Sequence, residues 1–238
     1  MKTLAPDADA WQQLLGAGTC EFLTTLKDHP EFPTLDAQYG IKPALEVHAL
    51  NSASPQHVPA LIAFSKILST NNQFPSLDPK VLDQYHKLIL SRPMSPEKLT
   101  SLGIVLSNSS NPTESAAREK WFDFSLNAII VPYIRDPTMQ LTPITLLSAL
   151  SGHVWGVKRI AESAQIMEWL QDRLGGYQEA TGKFAVVKRM LGTTLAEEER
   201  VGKREEGLLG RWRFHVEVFV SRGEWWRDPA AEVATEGS

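Results

Sequence analysis

One cysteine, Cys20, stands in a chain of 238 residues. It has no partner for an internal disulfide, and that points to a reducing compartment, the cytosol and also the nucleus. Long apolar runs are missing as well. No stretch approaches the ~18 uninterrupted apolar residues that a membrane span requires. The opening MKTLAPDADAWQQLLGAG breaks its apolar residues with Pro6, Asp7 and Asp9, so it reads neither as a secretory signal nor, with those acids, as a mitochondrial presequence. Positive charge is short too: 24 Lys and Arg stand against 28 Asp and Glu, for a formal net charge of -4. Phosphate binding needs clustered positive charge, so nucleic acid is not expected as a partner; nor, without an apolar span, is a membrane.

Chemical motifs are equally sparse. The six histidines show no H-x-x-x-H spacing and there is no C-x-x-C, so no metal site is expected. Gly175-Gly176 ends a helical stretch and follows no strand, so it is not a dinucleotide loop, and no cofactor is expected. Cys20 and His29 could suggest a thiol–imidazole pair, but a cysteine on a helix more often behaves as a small buried hydrophobe. The stretch SALSGHVWGVKRIAES, from Ser148 to Ser163, places two serines and a histidine within six residues. Catalysis there would need Ser148 or Ser151 held by His153, and His153 held by an acid. The G-x-S-x-G strand–turn–helix setting is lacking and no motif ties an acid to His153. The alternative is an elbow. Ile144, Leu147 and Leu150 stripe one helix, Ser151-Gly152 stops it by a left-handed glycine, and a second stripe runs from Val157. Trp155 then plugs the joint.

What the chain does have is helical spacing. With 42% hydrophobic and 22% charged residues, a sizeable core is possible. The spacing predicts helices over Asp9–Lys27, Ser54–Thr70, Asp78–Leu90, Ser95–Leu106, Thr113–Val131, Thr142–Leu150, Val157–Leu174, Lys183–Leu191 and Leu208–Val220. Only FHVEVFV, Phe214–Val220, also alternates as a strand would; Leu208, Trp212, Val216 and Phe219 fit it to a helix equally well. Ser54-Pro55, Asp78-Pro79, Ser95-Pro96, Asp136-Pro137 and Thr142-Pro143 each set a capping side chain before a proline, a helix-start signature. Pro55, Pro96 and Pro143 fall 41 and 47 residues apart, each interval long enough for two helices. That period matches armadillo or HEAT units, which cover their apolar faces only by stacking.

The expected fold is therefore all-α: a short α-solenoid of helical hairpins, with an irregular bundle as the alternative. One domain over residues 1–226 and a frayed polar tail over 227–238 are predicted. Asn51–Pro55, Thr70–Pro79 and Ser107–Glu114 read as loops, and Glu197–Gly207 as a solvated helix end or a mobile loop.

The carboxy-terminal part carries a resemblance. ALSGHVWGVKRI holds Trp155 and Lys158, MEWLQDR holds Glu168, Asp172 and Arg173, and GKFAVVKRML holds Lys183, Ala185 and Lys188. RWRFHVEVFVSRGEWW then closes with Gly223 before Trp225 and Trp226, ahead of the small acidic ending EVATEGS. In their order and spacing, from Ser148 to Ser238, these segments resemble the carboxy terminus of the 26S proteasome non-ATPase regulatory subunit 5 family. The resemblance implies an armadillo/HEAT-like solenoid without enzymatic activity, and it aligns FHVEVFV with a last helix. It also implies a chaperone of proteasome assembly that binds the carboxy-terminal domain of an ATPase subunit of the regulatory-particle base. Before the chaperone departs, it keeps that intermediate from docking prematurely.

On this view the protein is not an enzyme, is a monomer when free, and takes one base ATPase subunit as partner. A general scaffold with another client is the runner-up; a small all-α enzyme would need a concave pocket with clustered titratable groups. Trp225 and Trp226 either cap the last repeat or serve as interface anchors, with Arg211, Arg213 and Arg222 meeting an acidic partner.

Overall fold

A computed structural model describes residues 25, 29–69, 78–107, 112–139, 141–172, 176–202 and 207–224. Among these residues there are twelve α-helices and no strand, so the all-α expectation holds. They divide into two compact units, with the boundary between Phe122 and Asp123. The predicted helix Asp9–Lys27, Cys20 and the tail 227–238 lie outside the described residues, apart from Thr25.

The first unit contains α1 (Phe32–Tyr39), α2 (Ile41–Ala49), α3 (His57–Leu68), α4 (Pro79–Leu90), α5 (Pro96–Leu106) and α6 (Pro112–Trp121). Its centre is α3, which packs against α2 and α5. Leu61, Phe64, Ile67 and Leu68 lie in the core with Leu45, Leu99, Leu102 and Val105. Two of the proline-led starts are built as the sequence predicts. The Asp78 carboxylate accepts from the Lys80 N–H at 2.8 Å, and the Ser95 hydroxyl from the Lys98 N–H at 3.4 Å. These caps satisfy N–H groups that have no partner within the helix.

The other three starts differ. Pro55 sits in the turn before α3, whose first helical residue is His57. There the Ser54 hydroxyl is occupied with the Gln56 N–H and the His48 ring. Asp136-Pro137 makes a turn, with Asp136 accepting from the N–H and hydroxyl of Thr138. Thr142 lies inside its helix and its hydroxyl donates to the Met139 carbonyl at 2.6 Å, leaving Leu141 at the cap position.

The second unit contains α7 (Leu126–Ile129), a 3-10 turn (Val131–Tyr133), α8 (Thr142–Leu150), α9 (Val154–Ala161) and α10 (Ala164–Gln171). After these come α11 (Tyr177–Val201), a second 3-10 turn (Gly210–Trp212) and α12 (Arg213–Ser221). Its axis is α11, 25 residues long and so about 38 Å from end to end. On it pack α8, α9, α10 and α12. FHVEVFV is helical, and the helical stripe decides it: Leu208, Val216 and Phe219 are buried.

Two predicted helices are broken. Thr113–Val131 is interrupted after Trp121: the next residue, Phe122, is fully buried, and the unit boundary follows it. Val157–Leu174 is two helices, α9 and α10. Ser163 restarts the second: its hydroxyl accepts from the Ile166 N–H and donates to Asn127 at 2.5 Å. Conversely, Lys183–Leu191 is the middle of a longer helix, which runs through the charged Glu197–Arg200 run and stops at Gly202.

Candidate protein-binding surface

The elbow of the second unit is built from the residues that suggested chemistry. The Ser151 hydroxyl donates to the Ser148 carbonyl at 2.8 Å, and Thr193 of α11 donates to the Ser151 carbonyl at 2.7 Å. His153 is 2% exposed, with its ring 5.0 Å from that of Trp155. Trp155 lies in the first turn of α9, 8% exposed, with the Arg159 guanidinium 5.8 Å from its ring. Both the hydroxyl and the carbonyl of Ser151 therefore serve to turn the chain.

Glycine matters here at a different place from the one the sequence suggests. Gly152 is not left-handed; the position that requires glycine is Gly156, where a Cβ would lie 2.1 Å from the Leu150 carbonyl oxygen. The absent side chain lets α9 cross close over the end of α8.

Two segments that carry the resemblance meet in the core. Lys183 of α11 is 2% exposed, and its ammonium sits 4.6 Å from the Trp169 ring of α10. It donates to the Asp172 carbonyl at 3.3 Å and pairs with Glu179 at 2.6 Å. A buried ammonium is costly unless each donor finds a partner, and these contacts clasp α10 to α11. Beside them opens a cleft of about 770 Å³, lined among others by Arg135, Asp136, Trp169, Asp172, Tyr177 and Lys183. Of these, Tyr177 is largely exposed. The Asp136 carboxyl is held below its usual range by the Thr138 hydroxyl and N–H.

The predicted partner residues separate into groups. Arg213 is held by its own fold. It donates to the two carboxylate oxygens of Glu198 at 2.6 and 3.2 Å, and to Glu217. The hydrogen bond it donates to Glu198 is the main cause that raises its pKa, opposed by burial. It ties α12 to α11. Arg211 and Arg222 are exposed, and the Arg211 guanidinium lies over the Trp212 ring, 4.9 Å from its centroid. The indole N–H of Trp212 donates to the Ala161 carbonyl at 3.0 Å, fixing that platform to the end of α9. Trp225 and Trp226 lie outside the described residues.

What the sequence reading missed is Phe214, 69% exposed. Phe214 lies on the side of α12 opposite the buried Val216 and Phe219; Arg211 precedes it in the 3-10 turn, and Arg222 follows at the end of that helix. Gly223 comes next in the left-handed conformation, φ 83°, where a side chain would be strained.

His29 is exposed, its ring nitrogen accepting from the Glu31 N–H at 3.3 Å, while Cys20 is outside the described residues. Among the described residues, no group of three or more His, Cys, Asp or Glu is arranged to hold a metal ion, and no helix is long and apolar enough to cross a membrane. Comparison of the chain with protein-family models, with curated proteins and with solved structures gives no match in any of the three.

Proposed function

We propose that this chain is a non-catalytic assembly chaperone of the proteasome regulatory particle, acting through a helical surface on the carboxy-terminal domain of a base ATPase subunit. The client comes from the resemblance of Ser148–Ser238. The single observation that supports a binding role is the outward face of α12. There a large aromatic, Phe214, stands in solvent between Arg211 and Arg222, the residue types that anchor protein interfaces.

An armadillo/HEAT-like stacking of hairpins is the architecture that goes with this reading. The interval from α3 to α5 holds one helical pair, α3 and α4, as such a repeat would. The interval from α5 to α8 holds α5, α6 and the short α7. Its site is the cytosol or nucleus, with the chain monomeric when free.

Pull-down from native extract with tagged full-length protein, read by mass spectrometry, tests the proposal. Base ATPases and regulatory-particle subunits are expected; if neither is enriched, the assignment falls. Enrichment of one other protein would favour a general armadillo/HEAT scaffold. The cleft beside Lys183 favours a second reading, a small all-α enzyme. Its Lys183 is already committed to Glu179, Trp169 and the Asp172 carbonyl. That reading requires a small molecule in native extract to raise the melting temperature of the wild type and not of Lys183→Met.

A further inference from the structure

We propose that the cleft beside Lys183 is the seat of this chain's own Trp225 and Trp226, which close it as an internal plug. This goes beyond the chaperone reading and does not rest on it.

The path of the chain leads there. Three contacts set α12 antiparallel to α11: Arg213 on Glu198, the Phe219 ring 5.9 Å from that of Phe184, and Glu224 accepting from the Thr181 hydroxyl at 2.5 Å. The chain thus descends α11 towards its first turn. Gly223, in the left-handed conformation, bends it out of the helix, and the Glu224 bond holds it against α11. One turn further down the same side of α11 is Tyr177, four positions before Thr181. Tyr177 is 71% exposed and lines the cleft. Thr181 and Tyr177 are about 6 Å apart along the axis, and an extended residue spans about 3.3–3.6 Å. Trp225 and Trp226 are the next two residues after Glu224, and that places their indoles within reach of the cleft.

Room and chemistry agree with this occupant. The cleft holds about 770 Å³, within the roughly 300–1,000 Å³ of pockets that enclose a whole small molecule, so two indoles fit. Pro137, Leu141 and Trp169 give it apolar wall. Among the described lining residues three carboxylates, Asp136, Asp172 and Glu179, stand against two cations, and one of those, Lys183, is bound to Glu179. An anion is poorly matched to such a lining. An indole brings an apolar ring and a single N–H donor, which a carboxylate accepts. Each tryptophan buries about 150–250 Å², and two side by side in water would form a patch that monomers seldom leave open. A tether this short also gives the indoles an effective concentration in roughly the millimolar range, which a free molecule must overcome to enter.

Fluorine NMR of full-length protein labelled with 5-fluorotryptophan tests the proposal, the two resonances being identified by their loss in Trp225→Phe and in Trp226→Phe. Both are expected to be shielded from a soluble gadolinium chelate. Both should shift in Tyr177→Ser and in Pro137→Arg, at two exposed positions of the cleft, and stay in place in Phe214→Ser on the outward side of α12. If the chelate reaches either resonance as fully as it reaches free 5-fluorotryptophan, the inference is overturned. Shielded resonances that shift with neither cleft variant, or that shift equally in Phe214→Ser, overturn it as well. The assay contains no client, so its failure leaves the chaperone reading standing, and a failed pull-down leaves the plug standing.

Discussion

Gly156→Ala and Gly192→Ala are the same substitution in two helices of one unit, and the structure gives them opposite signs. In an unhindered helix interior, alanine is favoured over glycine by roughly 0.5–1 kcal/mol, through backbone entropy. Gly192 lies inside α11, exposed, and an added Cβ meets nothing within 4 Å. It should gain that amount. Gly156 lies in α9, and its added Cβ would sit 2.1 Å from the Leu150 oxygen and 2.8 Å from the Leu150 carbonyl carbon.

Non-bonded heavy atoms settle at roughly 3.5–4.0 Å, so α8 and α9 must part by about 1 Å or more. The clashing atoms are backbone, which cannot swing aside as a side chain would. Separation loosens Trp155, Val157 and Ile160, all buried on α9. Overpacking of this kind costs about 1–3 kcal/mol. Set against the propensity gain of under about 1 kcal/mol, it should leave Gly156→Ala destabilised by roughly 1–2 kcal/mol or more. Urea unfolding of both variants, read by far-ultraviolet circular dichroism, measures the difference. A stabilised Gly156→Ala, or a Gly192→Ala that loses more than about 0.5 kcal/mol, would refute the reasoning.

Trp155→Ala should cost about 3–5 kcal/mol, since the indole is buried in the elbow; a loss under about 1 kcal/mol in the same assay would mean the ring carries little of the packing. Replacing Ser148, Ser151 and His153 together by alanine should leave partner capture largely intact in the pull-down, and a loss of capture with an unchanged fold would revive a direct role for them. Arg118 is fully buried on α6, donating to Glu114 and to the Ser69 carbonyl, both at 3.3 Å. Arg118→Ala strands the Glu114 charge and should cost about 3–5 kcal/mol, whereas Glu114→Gln with Arg118→Met should cost much less; equal losses from the two would contradict this. The Glu46 carboxyl is raised above its ordinary range, chiefly by burial and then by Asp78. A raised folded pKa means that stability is fullest below the unfolded pKa and falls as pH rises through the folded one. Glu46→Gln should therefore raise the melting temperature at neutral pH and give no gain near pH ~3.5; a gain only in acid would reverse the sign.

The helices read correctly from sequence are those whose stripe and cap agree. Asp78-Pro79 with Val81, Tyr85 and Ile89, and Ser95-Pro96 with Leu99, Leu102 and Val105, point to one answer at both levels, and α4 and α5 start there. The two helices missed, α1 and α2, hold Pro33, Gly40 and Pro43 within eleven residues. Those residues interrupt the spacing, and tertiary packing of α2 on α3 and of α1 on α2 supplies what local pattern lacks.

The break at Ser163 was visible only as one polar residue in a stripe, because its partner, Asn127, is 36 residues away. Of the surface, Arg211, Arg213 and Arg222 were legible as cations near the last helix. That Arg213 is consumed was not, since Glu198 lies on another helix, 15 residues earlier. Phe214 escaped because both the strand and the helix patterns of FHVEVFV count apolar residues, and neither says which of them faces water.

Burial also divides the residues that carry the family resemblance, and the two groups bear on different questions. Trp155 and Lys183 are inside. Trp155 supports the elbow, and Lys183 joins α10 to α11 through Trp169 and the Asp172 carbonyl. A chain that needed this elbow and this clasp would keep those residues whatever its client. Lys158, Glu168 and Lys188 are exposed, and helix packing asks nothing of them. The buried set is accounted for by packing alone, and only the outward residues bear on the proposed partner. The α12 face belongs to the second kind: Phe214 is 69% exposed and lies outside the core of the second unit. A partner that covers the ring would gain its apolar area, so the face, more than the elbow or the clasp, is where the proposed client is tested.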